Sequence, residues 1–255
     1  LKTMMHSSGI NYGKYIVNFL SKKRNNYIVF EISLNGLELG MAQSRKRVFY
    51  LGINKDFTLN SSDVLNNLQK IIDQTIHQYK KKNKTIKDVI FDLYKKEAKI
   101  GSPVFIGTKK VYNHDVFNHS KDIIERIKCV PEGGGIQDVP DRLLNGHLRK
   151  MKNGNYGSGG FVKNIYGRLH WKNPSGTIIA GVRKITCGRL FHPQSNRLLT
   201  VRECARLQTF DDELRVYGTH TQQYTLVGNA VPPLFSMICG KIISNIYESR
   251  VFFIK

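Results

Sequence analysis

Cysteine is the first residue type in this 255-residue chain that could supply a nucleophile or bind a metal. The four cysteines stand far apart, with no Cys-x-x-Cys pair and no histidine at zinc-site spacing; they are Cys129, Cys187, Cys204 and Cys239. Cys204 and Cys239 lie on faces of predicted helices, so we expect packing thiols and not nucleophiles. The sequence predicts reduced, intracellular cysteines and no metal site.

Positive charge is the second chemical feature. Lys and Arg number 40 against 19 Asp and Glu, so the formal net charge is +21 and the pI is about 9.9. Such a surplus favours a polyanionic partner through phosphate contacts and counterion release. A lysine-rich composition caused by AT-biased coding, as in the runs at 22–26 and 80–84, is the alternative. No apolar stretch approaches the roughly 18 residues of a membrane span, and no signal-peptide pattern begins the sequence, so we expect a cytoplasmic protein with no membrane partner.

Periodicity predicts the elements of the first hundred residues. Apolar residues at helical spacing predict a helix around 15–20, and strands are predicted over 27–32 and 47–53. An irregular loop between the strands carries Gln43, Ser44 and Arg45. An amphipathic helix follows over 64–79, with Ser61 or Ser62 as its N-cap, and a short helix begins at Thr85.

The texture changes from about residue 101, where glycine becomes dense, as at 133–135 and 157–160. This composition favours short strands and loops over long helices, with a partly disordered insertion as the alternative. Order returns with a capping box formed by Thr200 and Glu203. Pro232 and Pro233 then open a final helix, whose apolar face comprises Leu234, Met237, Ile238, Ile242 and Ile246.

Three segments resemble, in family order, the C-terminal signature blocks of the cytosine-5 DNA methyltransferases. They are Gln-Ser-Arg-Lys-Arg at 43–47, Arg-Glu-Cys-Ala-Arg-Leu-Gln-Thr-Phe at 202–210, and Gly-Asn-Ala-Val-Pro-Pro at 228–233. The third is the most specific. A variable region of the expected size for a target-recognition domain separates the first block from the second.

The resemblance implies roles for single residues around a flipped cytosine. Such enzymes must extrude the target base before attack. Gln43, Arg45 and Arg47 match the block that supports the flipped nucleotide, and a guanidinium suits this task because it is always charged. Asn229 and Val231 match the block beside S-adenosylmethionine; a simple helix-entry turn is the alternative for them.

The resemblance also implies that double-stranded DNA is the partner and that specificity lies in roughly residues 105–195. Arginine and lysine can bind guanine edges, although most such contacts reach phosphates. The candidate DNA-binding residues are Arg149, Lys152, Arg168, Arg183, Lys184, Arg189, Arg202 and Arg206. A capped helix with outward arginines accounts equally well for Arg202 and Arg206.

The blocks that perform the family's chemistry are absent from these 255 residues. None of the seven prolines is followed by Cys, and neither a Glu-Asn-Val block nor a Gly-rich loop between a strand and a helix occurs. We therefore expect the chain to be inactive alone and to need a second chain with the catalytic half, as one subunit of a split enzyme of a restriction–modification system. A truncated single-chain methyltransferase and a non-enzymatic sequence-specific DNA-binding module are the alternatives.

The predicted fold class is α+β, as part of an α/β methyltransferase. We expect an edge hairpin and helices from a Rossmann-like catalytic domain, plus a loop-rich, mostly β target-recognition domain. The expected divisions are a catalytic remnant over 1–60, a helical connector over 61–100, the recognition domain over 101–210, and a segment over 211–255 that returns to the catalytic domain.

Overall fold

The structure, a computed structural model, describes residues 11–22, 25–57, 62–96, 99, 101–154, 164–182, 184–185 and 188–249. Three residues singled out above, Ser61, Arg183 and Cys187, and the glycine run at 157–160 lie outside this description. The elements in chain order are α1 (Tyr12–Ser21), β1 (Tyr27–Asn35), β2 (Lys46–Asn54), α2 (Ser62–Gln78), α3 (Ile86–Ile90), β3 (Val104–Ile106), β4 (Lys109–Val111), α4 (Lys121–Lys128), α5 (Gly146–Lys152), α6 (Val201–Leu207), α7 (His220–Asn229) and α8 (Pro233–Glu248).

The chain forms two compact units. The hairpin unit comprises residues 1–35, 46–80 and 234–255, and the larger unit comprises 36–45 and 81–233. The boundaries of these units at 80 and 233 fall inside the expected connector over 61–100 and the expected segment over 211–255, and the expected domain divisions stay a prediction. Within the hairpin unit α2 contacts α8, where Asn245 donates to the Thr75 hydroxyl at 2.8 Å.

In the hairpin unit, β1 pairs antiparallel with β2, in a register that runs from Tyr27↔Asn54 to Asn35↔Lys46. Phe30, Ile32 and Leu34 are buried while the residues between them are exposed, as the two-residue period of a strand requires. Both predicted strands are therefore confirmed, as is the amphipathic helix α2.

The last helix, α8, buries a different set of residues from the one expected. Phe235, Ile238, Ile242 and Ile246 are buried, whereas Met237 lies half exposed. Phe235 packs edge-on against Phe49 of β2, with ring centroids 6.2 Å apart. The apolar residues that α8 leaves exposed are Met237, Ile243 and Tyr247.

Short helices and loops build the larger unit around a large apolar core, and Leu93, Val104 and Val111 form a smaller one. Ile86 and Ile90 of α3, Val201 and Leu207 of α6, and Tyr224 of α7 all belong to the large core. The side chains of Thr85, Thr200 and Thr219 begin α3, α6 and α7 with capping boxes. The capping box predicted at Thr200 and Glu203 is thus confirmed.

The expected mostly β recognition domain differs from this unit. Within its described residues, the regular strands are β3 and β4, a hairpin of three-residue strands, and further bridges are isolated pairs such as Gln43↔Ser175 and Arg168↔Phe191. Many backbone groups of this unit bond to one another between loops and not in a sheet ladder, as Ile136 N does to Ile165 O at 2.8 Å and Phe191 N to Gly167 O at 3.0 Å.

Residues His220–Glu248 contain a window that is apolar enough to cross a membrane by length and composition alone, with a mean hydropathy of 1.5. The sequence alone predicts no such stretch. The segment consists of two helices, since α7 ends at Asn229 and Ala230 is extended before Pro233 opens α8. A core helix of a soluble protein passes the same test.

Candidate functional site

Gln43 lies at the point where the three blocks approach one another in the larger unit. Its buried amide donates to the carbonyl of Leu207 at 3.1 Å and accepts from the Ile178 amide at 3.0 Å. The adjacent backbone pairs with Ser175, whose amide donates to Ala42 O and whose carbonyl accepts from Ser44 N, both at 2.8 Å. The first block is thereby fixed to the end of the second and to the segment 175–180.

Arg45 joins the first block to the third. Its Nη1 donates to the carbonyl of Ile178 at 2.8 Å, and its Nη2 donates to the carbonyls of Gly228 at 3.3 Å and Ala230 at 2.9 Å. The side chain is buried. The guanidinium therefore binds backbone carbonyls in this structure. The predicted contact of Arg45 with a flipped nucleotide stays a prediction.

Gly228 and Gln208 complete this junction. Gln208 donates to the carbonyl of Val227, which links the second block to the third. A Cβ at Gly228 would overlap the backbone of Ile179 and Ala180, so glycine is needed here for close backbone approach. The three blocks thus converge on residues 175–180, a segment that the sequence analysis did not single out because its contacts span more than 130 positions.

The second block carries a buried ionic network. Glu203 accepts from the two terminal nitrogens of Arg197 at 2.8 and 2.9 Å and from the Thr200 amide at 2.7 Å. Burial raises the pKa of Glu203, but Arg197 outweighs it and holds that pKa at about 2. Arg197 was not among the sequence candidates, because an arginine six residues before a helix-capping glutamate has no distinctive pattern.

His192 lies beside this network in a neutral state. Its Nδ1 accepts from the amides of Gln194 at 3.1 Å and Ser195 at 2.9 Å, so protonation there would face two donors. Burial lowers the pKa of His192 to about 4, which outweighs the opposite effect of Glu203 at 3.8 Å.

Four of the predicted DNA-binding arginines make contacts inside the larger unit. Arg168 is buried and donates to the carbonyls of Val130, His192, Ser195 and Ile127 at 2.7–2.9 Å. Arg189 donates to Gly133 O, Gly134 O and Arg168 O, and Arg202 donates to Tyr112 O, Asp211 O and Leu214 O. Burial lowers the pKa of Arg206, but its ion pairs with Asp212 and Asp92 outweigh that effect and raise this pKa. Their predicted role on DNA is untested, and their donors are committed to the protein.

The other predicted site residues are more accessible. Arg149 and Lys184 are exposed, while Lys152 is half-buried and binds Asp141 and the Val139 carbonyl at 2.8 Å. Asn229 and Val231 are exposed. Arg47 is half-buried on β2 in the hairpin unit, where Nη1 donates to Lys46 O at 2.7 Å.

Among the described residues, no group of three His, Cys, Asp or Glu could hold a metal ion.

Comparison with known proteins places this arrangement among the DNA-modifying methyltransferases. The family model described as C-5 cytosine-specific DNA methylase matches residues 3–245, so the chain belongs to that family. Enzymes of this family use S-adenosylmethionine. The three-block resemblance noted in the sequence is therefore confirmed at the level of the family.

Two type II methyltransferases are similar to the chain along most of its length. M.DdeI of Desulfomicrobium norvegicum is 28% identical over 92% of this chain and 59% of that protein. M1.HphI of Haemophilus parahaemolyticus is 27% identical over 93% of this chain and 53% of that protein. The chain thus spans little more than half the length of these relatives.

One solved structure supports the fold. A DNA modification methyltransferase encoded within a prophage (E. coli) matches with a TM-score of 0.51 at 19% identity, over 96% of this chain and 67% of that one. This likeness is consistent with an α/β methyltransferase fold.

Replacement of Gly228 by Ala tests the junction of the blocks. Since the added methyl group must displace the backbone of 179–180, we expect the free energy of unfolding to fall by more than about 2 kcal/mol. Gly240→Ala is the control, because Gly240 is an exposed position of α8 with open space around its Cα and should gain about 0.5–1 kcal/mol. Urea unfolding measures both changes. Equal stability of the two variants would contradict the close approach at Gly228.

His192 predicts a dependence of stability on pH. Its pKa is about 4 when folded and 6.5 as an ordinary side chain, so the unfolded chain binds more protons between these values. Stability is complete above pH 6.5 and declines by up to about 3 kcal/mol as the pH falls towards 4. Measurement above about pH 5.5 keeps the contribution of Glu203 small, because that range lies about one unit above its ordinary pKa of 4.5.

The matched variants for this pH dependence are His192→Asn and His77→Asn. The amide oxygen of Asn at 192 can accept from the same backbone donors without titrating, so we expect a flatter pH profile for that variant. His77 is exposed on α2, and its variant should keep the profile of the original chain. If His192→Asn leaves the slope unchanged, His192 is not its origin.

Proposed function

We propose that this chain is the DNA-recognising portion of a DNA (cytosine-5) methyltransferase that serves a restriction–modification system in the cytoplasm. The observation that carries the proposal is the meeting of the three blocks, through Gln43, Arg45, Gln208 and Gly228, around residues 175–180. The names of two similar proteins, both type II methyltransferases, support the assignment of this chain to a restriction–modification system.

Arg45 and Arg47 divide the task that the resemblance gave them jointly. Arg45 acts as a positioning residue, because its donors hold the carbonyls of 178, 228 and 230. Arg47 contacts the flipped nucleotide: its guanidinium is half-buried and, among the described residues, has one hydrogen bond, to its own neighbour. The remaining donors can bind a phosphate or a developing negative charge on the base.

Asn229 and Val231 border the methyl donor. Arg45 binds the carbonyls on either side of Asn229, and the side chains of Asn229 and Val231 are exposed. An amide and an isopropyl group on a fixed backbone suit a ligand with both polar and apolar parts. S-adenosylmethionine supplies the electrophilic methyl group when bound, and we assign the remainder of its pocket to the catalytic half.

We assign the DNA contacts to lysine and arginine residues whose side chains are accessible. Arg149 and Lys150 are exposed in the last turn of α5, and Lys184 is exposed in a loop. Phosphate contact requires accessible donors. Lys150, Lys184 and Arg149 are exposed, although the Nε of Arg149 donates to the Leu144 carbonyl at 3.0 Å, so these residues are better placed for it than the buried Arg168 and Arg202.

The nucleophile must come from elsewhere, because these 255 residues contain neither Pro-Cys nor Glu-Asn-Val. We propose that the catalytic half supplies both blocks, either in the same polypeptide or as a second chain. The length by which the relatives exceed this chain is sufficient for such a half.

Methyl transfer tests the proposal. The 255-residue chain alone should transfer no methyl group from radiolabelled S-adenosylmethionine to DNA, whereas a fusion or co-expression with a half bearing Pro-Cys and Glu-Asn-Val should. Transfer by the chain alone would contradict the proposal that the nucleophile lies in the catalytic half, and DNA binding without transfer in any assembly favours a non-enzymatic module.

In the active assembly, Arg47→Ala should lower kcat about 10²-fold and leave duplex affinity nearly unchanged. The control is Arg142→Ala, which removes an exposed arginine from a 3₁₀ turn.

Salt dependence identifies the phosphate contacts. Loss of one contact reduces the slope of log K against log salt concentration by about 0.9. We expect that reduction for Lys150→Ala on α5 and little change for Lys70→Ala, which removes the same charge from the exposed side of α2. Fluorescence anisotropy with a labelled duplex over a salt series gives the slopes. Equal slopes for both variants would remove α5 from the DNA interface.

A further inference from the structure

A pocket of about 450 Å³ in the larger unit is lined by residues that take no part in the junction of the three blocks. One wall follows β4 and includes Tyr112, Asn113 and Asp115. The other is the loop 215–219 together with the start of α7. The volume is within the usual range for a small-molecule site.

Buried hydrogen bonds fix both walls. Arg202 donates to Tyr112 O on one side and to Asp211 O and Leu214 O on the other. Asn113, which adopts a left-handed φ of 64°, donates from its amide to Val216 O at 2.8 Å and accepts from Val216 N at 2.9 Å. The pocket is therefore preformed and need not be ordered by a ligand.

Arg215 and two tyrosines form a stacking surface at this pocket. The guanidinium carbon of Arg215 lies 4.5 Å from the ring centroid of Tyr112 and 5.1 Å from that of Tyr217. Tyr217 is 70% exposed, so much of its ring remains available. Aromatic rings and arginine planes are the surfaces on which unpaired nucleobases stack.

The floor of the pocket adds polar groups. Asp115 is buried and pairs with His220 at the start of α7, and Gln223 lines the same pocket. A carboxylate accepts hydrogen bonds from the amino and imino groups of a base, whereas it repels a bare anion. Arg215 and the N-terminus of α7 favour a phosphate nearby. This combination suits a nucleotide better than an inorganic anion.

We propose that this pocket binds a nucleotide, with its base on Tyr217, a base edge at Asp115, and its phosphate at the edge of Arg215. The nucleotide comes either from an unpaired position of a DNA strand or from free solution. The inference does not rest on the proposed methyltransferase role, because free nucleotides test it without any methyl transfer.

Titration of the chain with AMP, CMP, GMP and TMP tests the proposal, with ligand-observed NMR or calorimetry as the readout. We expect dissociation constants between about 1 µM and 1 mM. Tyr217→Ala should weaken binding about tenfold through loss of stacking, and Tyr217→Phe should retain it. The matched control is Tyr247→Ala, because Tyr247 has a similar exposure of 68% but lies on α8 in the hairpin unit.

Competition experiments distinguish the two possible sources of the nucleotide. Competition by a single-stranded oligonucleotide or a duplex indicates a base of the DNA strand, and undiminished binding in their presence indicates a free nucleotide. Inorganic phosphate serves as the probe for a plain anion site. Failure of all four nucleotides to bind at about 10 mM, an equal effect of Tyr217→Ala and Tyr247→Ala, or tighter binding of phosphate than of any nucleotide would each overturn the assignment. Circular dichroism confirms that the variants fold.

Discussion

The donation of three hydrogen bonds by Arg45 to backbone carbonyls is the interaction on which the block junction depends. Two of the carbonyls, those of Gly228 and Ala230, lie at the end of α7, where a helix leaves carbonyls without partners. A cation is favourable at that end of a helix. Arg45 therefore caps α7 from more than 180 positions away, and its loss would leave buried carbonyls at a cost of about 1–3 kcal/mol each.

Arginine serves the same purpose elsewhere in the larger unit. A domain with few regular strands has many backbone carbonyls outside a ladder, and each buried one needs a donor. A guanidinium offers five donors in a plane, so one arginine can join several loops. Arg168 joins 127, 130, 192 and 195, and Arg202 joins 112, 211 and 214. Part of the charge surplus is consequently structural and does not face a polyanion.

The sequence predicted the elements whose signals are local. The strands β1 and β2, the stripe on α2, the capping box of α6 and the proline start of α8 all depend on neighbouring residues. It did not predict α4, α5 and α7, which are at most ten residues long, although Ile123, Ile124 and Ile127 of α4 stand at helical spacing. For α7 a signal existed, since Thr219 and Gln222 form a capping box like that of α6.

The candidate site was predictable only as three blocks and not as a geometry. Whether an arginine faces a phosphate or a carbonyl depends on contacts between distant segments, and nothing in the residues around Arg168 distinguishes it from Arg149. The distinction matters for substitution. Lysine in place of an exposed arginine keeps the charge that a phosphate needs, but in place of Arg202 it offers one nitrogen where three loops require separate donors. The same residue type thus has two roles in this unit: buried arginines hold the loops in place, and the exposed side chains of those loops can differ in sequence without loss of the bonds beneath them.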